Sequence, residues 1–333
     1  RISAGAVARG DAVATGVDRP PAAPGLPTPP VSPVFLLAQL PPLPAEPGRS
    51  RLVIGAYAAP WPGAVKVADE ATGTVLTALN RPAAVGEVLT AMQPGPLSRW
   101  DRGQTLHVRL RTGHLADVEP HGALAGSNRV AVETDTGAWE VIGFAEAMLV
   151  GQGEYRLTRL LRGLEGSDAA MGAASAGRRV VVLDDRVAIL PVEAHWIGES
   201  RSLRFTAGDA PGQVETVSLE PGPALPLAPV HLAATRQPDG AINLHWTRRS
   251  RADGDGWGVA EPPLEHVPEA WQIDILHEGT PVRTLHTSTT SAAYGIAEQA
   301  ADFGGPAPAL TWAVRQVSPV LGAGHAAMGG FDG

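Results

Sequence analysis

No cysteine occurs in the 333 residues, which removes disulfides and thiolate metal sites and leaves the redox compartment open. Lysine is almost missing as well. Lys66 stands alone beside the arginines, a bias that reads as the imprint of a GC-rich genome rather than as a guanidinium binding surface. The net charge is -8, so nothing points to nucleic-acid affinity through a bulk basic surface. No apolar run approaches the roughly 20 residues that cross a bilayer. No charged start with an apolar stretch behind it opens the chain either. The first residue is Arg1, not Met, as expected of a piece of a longer protein.

What is present is glycine (39), proline (31) and a 44% hydrophobic content, arranged as short alternating segments between turn residues. Helix-favouring runs are few. A chain of this length and texture is expected to be mainly β and multidomain, each domain burying its own core. Residues 1–48 are dominated by small residues and proline and are expected to be an extended, polyproline-like segment, either a passive linker or a strap across a neighbouring surface. The apolar island 34–37 asks for a surface to cover it. Residues 49–222 carry strand patterns, with hairpins expected where Asp69 to Gly73 and Thr134 to Gly137 interrupt them, and with a fully buried strand at Val180 to Leu183. A proline-rich patch, 220–229, marks a domain boundary. After it come short strands around 231–235, 241–246, 271–276, 281–286, 291–296 and 310–317, the spacing of a small β-sandwich over 229–322, and 323–333 reads as a tail.

The most distinctive stretch is 139–168, WEVIGFAEAMLVGQGEYRLTRLLRGLEGSD. Its second half admits two readings. Tyr155 and Leu157 alternate with polar neighbours as on a strand, whereas Leu157, Leu160, Leu161 and Leu164 are spaced as on a helix. A helix would carry Gly163 inside it at about 1 kcal/mol relative to alanine, so a strand ending in a glycine turn is the reading adopted. Trp139, Tyr155 and Leu157 are assigned to a core. Arg156, Arg159 and Arg162 are assigned to its rim.

Trp246, the strand 271–275 and the stretch LTWAVRQVS at 310–318 followed by LGAG at 321–324 resemble a fibronectin type III domain. Trp246 and Trp312 would then be core residues, Trp312 standing where that family has tyrosine. The order of motifs extends the likeness. A W-E-hydrophobic strand, an LLRG-glycine element, a VVLDD strand and then WTRRSRADGDGW resemble the C-terminal part of the baseplate hub proteins of gene transfer agents and related tailed phages. The resemblance implies a β-sandwich or barrel-like domain followed by a fibronectin type III-like sandwich. It also implies a structural role at the tail tip of a virion: a homotrimeric hub contacting other tail and baseplate proteins and serving host attachment and DNA delivery. A cell-surface glycan or receptor would be the outer partner, and no sequence-specific nucleic acid is expected.

Candidate chemistry is thin, and no cofactor or metal is expected. His107, His114 and His121 are seven apart, but a strand pattern, Gly113, Pro120 and Gly122 argue against a helix that would align them on a metal. Asp253 to Gly256 has the start of a calcium loop without the acidic twelfth position. Asp184, Asp185 and Glu193 invite a carboxylate pair, yet adjacent strand residues point to opposite faces. The arginines Arg248, Arg249 and Arg251 beside Trp257 form the one local basic cluster. It would suit an anion or glycan, intersubunit ion pairs, or plain solvated loop charge. An accessory carbohydrate-binding module of a larger secreted glycoside hydrolase is the competing reading, with Trp61, Trp257 and Trp271 as exposed aromatics. No acid and base converge, so a hydrolase in its own right is not expected.

Overall fold

The computed structural model describes residues 31–44, 48–208, 211–252 and 262–332. In chain order the strands are β1 (Val31–Leu40), β2 (Arg51–Ala59), β3 (Val65–Asp69), β4 (Val75–Leu79), β5 (Val85–Val88), β6 (Trp100–Asp101) and β7 (Leu106–Leu110). Then follow β8 (Arg129–Glu133), β9 (Trp139–Gly151), β10 (Glu154–Leu161), β11 (Arg179–Val182), β12 (Ala188–Pro191), β13 (Ser200–Ala207) and β14 (Gln213–Ser218). The C-terminal set is β15 (Val230–Arg236), β16 (Ile242–Thr247), β17 (Trp271–His277), β18 (Thr280–Thr287), β19 (Ser291–Tyr294), β20 (Ala309–Ser318), β21 (Gly322–Ala323) and β22 (Ala327–Asp332). The chain is mainly β, as its texture requires.

Strands β7, β5, β11, β8, β9 and β10 pair in that order, and β10 pairs back onto β7, so the sheet closes into an antiparallel barrel with β6 appended to β10. Closure removes the free edges that an open sheet leaves. Alternate residues fill the interior, among them Leu106, Val108, Val130, Ile142, Tyr155 and Leu157. The strand reading of 154–161 holds, and Gly163 (φ 60) turns the chain after it.

A three-stranded sheet, β1-β2-β12, lies against the outside of this barrel, and a four-stranded sheet, β14-β13-β3-β4, covers its other face. Leu36, Ala38 and Val53 pack on Ala131, Val141 and Val181 of the barrel wall. Leu37, Leu52 and Ile54 face Val67, Leu203 and Phe205 of the four-stranded sheet. Strands in the middle of such a stack are buried on both faces, which is why β1, β2, β8 and β11 read as continuous apolar runs. This corrects the expectation for the proline-rich segment: residues 31–40 are a sheet strand, and residues 1–30 lie outside the described residues. Pro33 is tolerated because β1 is an edge strand with a register shift between Val31 and Val34.

The C-terminal body is a sandwich of β15-β16-β19 on a sheet running β18-β17-β20, with β21 and β22 both paired to β20. Three strands facing five, with β21 and β22 both on β20, make a fibronectin type III-like sandwich. Trp246, Trp271 and Trp312 meet at its centre, ring centroids 5.4 Å and 6.1 Å from Trp246. Two elements differ from expectation. Residues 296–303 are a helix, α2 (Ile296–Phe303), numbered after the single turn α1 (Pro120–Leu124); Gly295 donates its N–H to Glu298 Oε2 at its start (2.8 Å) and Gly304 (φ 80) ends it. The expected tail is strand β22, paired from Ala327 to Asp332 with β20. Its low strand propensity hid it, and the glycine has a packing reason: a Cβ on Gly329 would stand 2.6 Å from the Trp312 ring.

Candidate functional site

The turn that follows β10 is the hub of the molecule's charge network. Gly163, Glu165 and Gly166 all have positive φ (60°, 58°, 79°), a tight path that folds the segment back on the barrel wall. Arg162, assigned to the rim from sequence, is instead buried. Its guanidinium donates to both carboxylate oxygens of Glu140 on β9 (2.7 and 2.8 Å) and to the Gln93 carbonyl (3.0 Å), while Gly163 N–H donates to Glu140 (3.0 Å). Glu165 accepts from Arg51 of β2 and from Arg129 of β8. Ser167 accepts from Val141 N–H (2.9 Å) and donates to the Leu164 carbonyl (2.7 Å). Asp168 receives both Arg249 nitrogens (2.7 and 3.2 Å).

Seven residues therefore reach three bodies: the barrel through Glu140 and Arg129, the three-stranded sheet through Arg51, and the sandwich through Arg249. Such a network is costly to desolvate, and it holds only when every charge finds its partner.

The arginine cluster belongs to the same junction. Arg251 is nearly fully buried and donates to Glu265 (3.1 Å) and to the carbonyls of Pro223 (3.3 Å) and Leu225 (3.1 Å) in the linker. Arg248 donates to the Pro262 carbonyl (2.6 Å) and lies 3.5 Å from Glu269. These contacts correct the reading of plain solvated loop charge: each guanidinium has a partner within the chain, Arg251 almost wholly buried and Arg249 still partly exposed. Trp257 lies outside the described residues. His266 is buried beside them with its Nε2 3.9 Å from Glu265. Burial, with the Arg251 charge against Glu265, holds its imidazole below the usual histidine range. Burial likewise draws Arg251 below the ordinary arginine range, against the pull of Glu265.

A cleft of about 490 Å³ opens beside the turn. Its walls are Phe35, Leu37 and Gln39 of β1, Trp139 with Ala169 and Ala170, and four residues of β14, Glu215 to Ser218. Arg179 lies over the Trp139 ring at 5.2 Å and is bonded to Glu133 (2.8 and 2.9 Å).

The assigned core residues Trp139, Tyr155, Leu157, Trp246 and Trp312 are all buried. So is Trp271, which withdraws it from any carbohydrate groove, and Trp61 packs on the core between the two open sheets. The three histidines stay apart: His107 on β7 near Glu154 (3.9 Å), His114 on the Tyr155 hydroxyl (3.1 Å) and His121 in α1. Pro120, counted as a helix breaker, occupies the first turn of α1, where its missing N–H costs nothing. Among the described residues no His, Asp or Glu cluster could hold a metal ion; Asp253 to Gly256 lie outside them. Asp184 pairs with Arg186 and Asp185 with Arg81, so they do not converge. No helix among the described residues is long and apolar enough to cross a membrane. Sequence reasoning missed Glu140, Glu165 and Asp168. The available signal was a lone charge inside an apolar run, as in WEVIGF.

Fold and junction together define a class: a β protein in which a closed barrel, a two-sheet layer and a fibronectin type III-like sandwich are joined by ion pairs, some wholly and some partly buried. A family model described as Rcc01698-like, C-terminal, matches residues 83–181, bounds that coincide with the barrel. No curated protein matches the chain. A crystal structure of chicken CNTN1 FN1-FN3 domains is 8% identical, covering 89% of this chain and 96% of that one, with a TM-score of 0.23, too low to relate the two architectures.

Proposed function

We propose that this chain is a structural component of a phage-like tail baseplate hub of the gene transfer agent type, acting in assembly, host attachment and DNA delivery and not in catalysis. One observation carries the reading. The charged side chains of the 162–168 turn, where an enzyme would keep an acid and a base free for substrate, are engaged in intrachain pairs that fasten barrel, sheet and sandwich together. A multi-body β scaffold fastened by such pairs suits a particle that must hold its geometry under assembly and attachment. The ordered W-E, LLRG and VVLDD motifs of the sequence support the same assignment.

In this role the chain sits at the tail tip of an extracellular particle assembled in the cytoplasm. It works as a homotrimer among other tail and baseplate proteins, with a cell-surface glycan or receptor as its outer contact. A closed ring buries the same patches on every subunit. Measuring the mass of the species formed with its tail partners tests this: three copies are expected, and a strictly monomeric chain with nothing buried between copies would sink the proposal.

A further inference from the structure

The cleft beside the turn is lined unequally by its two strands. From β1 it takes Phe35, Leu37 and Gln39, alternate residues, so β1 presents a face. From β14 it takes Glu215, Thr216, Val217 and Ser218, consecutive residues. Successive side chains of a strand point to opposite faces, so a strand that contributes four in a row presents its edge. Among the described residues, strand β14 pairs only with β13. Leu219 N–H donates to the Glu199 carbonyl on the β13 side (2.9 Å). Alternation back along the unbroken register then turns the backbone groups of Glu215 and Val217 toward β13 and those of Thr216 and Ser218 into the cleft.

Edges that must stay single are commonly blunted by lysine, proline or a bulge. The opposite edge of the same sheet, β4, has such a shift against β3 between Val67 and Ala68. Strand β14, QVETVS, has none of the three.

We propose that β14 is a strand-acceptor site, and that the cleft takes an extended, proline-free peptide from a separate polypeptide as a fifth strand of the sheet. The peptide lies over the β1 face, its alternate apolar side chains meeting Phe35, Leu37 and Val217, while its main chain bonds Thr216 and Ser218. Charge selects its flank. Glu215 and Glu220 are exposed on the rim; the nearby Arg179 feels Glu215 but is bonded to Glu133, so carboxylates outnumber guanidiniums there and the site favours a lysine or arginine beside the strand. The inference does not depend on the tail assignment.

The probe is the labelled peptide acetyl-Lys-Val-Thr-Val-Thr-Val-Lys-amide, titrated against the full chain by fluorescence anisotropy. Saturable binding is expected, weakened about tenfold by Thr216→Pro, which deletes one outward N–H on an edge where proline is tolerated, and changed less than about twofold by Thr216→Ala. As a second readout needing no variant, the peptide should slow hydrogen exchange at Thr216 and Ser218. No binding up to millimolar peptide, or equal binding by the proline and alanine variants, overturns the proposal. Slow exchange at both amides in the chain alone, which would mean that another part of this chain already covers the edge, overturns it too.

Discussion

At the scale of single residues, the Glu140–Arg162 pair is the most consequential. Both side chains are wholly excluded from solvent, so neither charge can be left alone. Arg162→Met should lower stability by about 3–5 kcal/mol because Glu140 is then buried without a counter-charge, whereas Glu140→Met with Arg162→Met should cost less, the remaining loss falling on Asp101, 3.6 Å from Arg162. Urea unfolding of the single and double variants gives the coupling; additive costs would show that the two do not act as a pair. Gly163→Ala should cost about 1–3 kcal/mol, since its φ is 60° and a Cβ would stand 2.8 Å from Asp168 Cα. The sequence shows Arg162 between Leu161 and Gly163, but its carboxylate lies 22 residues earlier on another strand. Periodicity reports which face a residue occupies and says nothing of a partner across the sheet, so the rim assignment was the natural error.

At the scale of elements, the β9–β10 hairpin closes the barrel, and Tyr155 anchors it from inside with its hydroxyl on His114 (3.1 Å). Tyr155→Ala should destabilise the barrel by about 3–5 kcal/mol, seen as a lowered unfolding midpoint. In the sandwich, Gly329→Val forces the Trp312 ring aside and should cost about 1–3 kcal/mol, with a shift of tryptophan fluorescence as the check. These elements were legible to different degrees. Strands with clean alternation, such as β7, and hairpins with glycine turns, such as β8–β9, could be read directly. Strand β1 could not, because proline density around it outweighed its apolar run, and only the two sheets that sandwich it make it a strand. Helix α2 carried a capping signal in Gly295 and Glu298, and β22 carried none, its glycines being chosen by Trp312.

At the scale of the whole molecule, the sandwich is fixed to the barrel by Arg249 on Asp168, and the linker between them is pinned by Arg251 and by His325, whose N–H donates to the Pro226 carbonyl (3.0 Å). Arg249→Ala should weaken this coupling by about 2 kcal/mol, so that differential scanning calorimetry resolves separate unfolding of the sandwich. Acid should loosen the same junction. His266 is held below its ordinary value of about 6.5, so the unfolded chain takes up the proton first. The stabilisation is full above that value and declines as pH falls below it. His266→Asn should flatten the pH dependence of the sandwich midpoint between about pH 7 and 5; an unchanged slope would count against the assignment.

The junction also has a mechanical meaning. Arg249 grips the 162–168 turn, and that turn is bonded in both directions, to β9 through Arg162 and to β2 through Glu165. A tug on the C-terminal sandwich would therefore not travel down the linker one bond at a time. Part of it would enter the turn through Arg249 and divide there between the bonds to β9 and to β2, and the chain would behave under tension as a clamped stack and not as beads on a string.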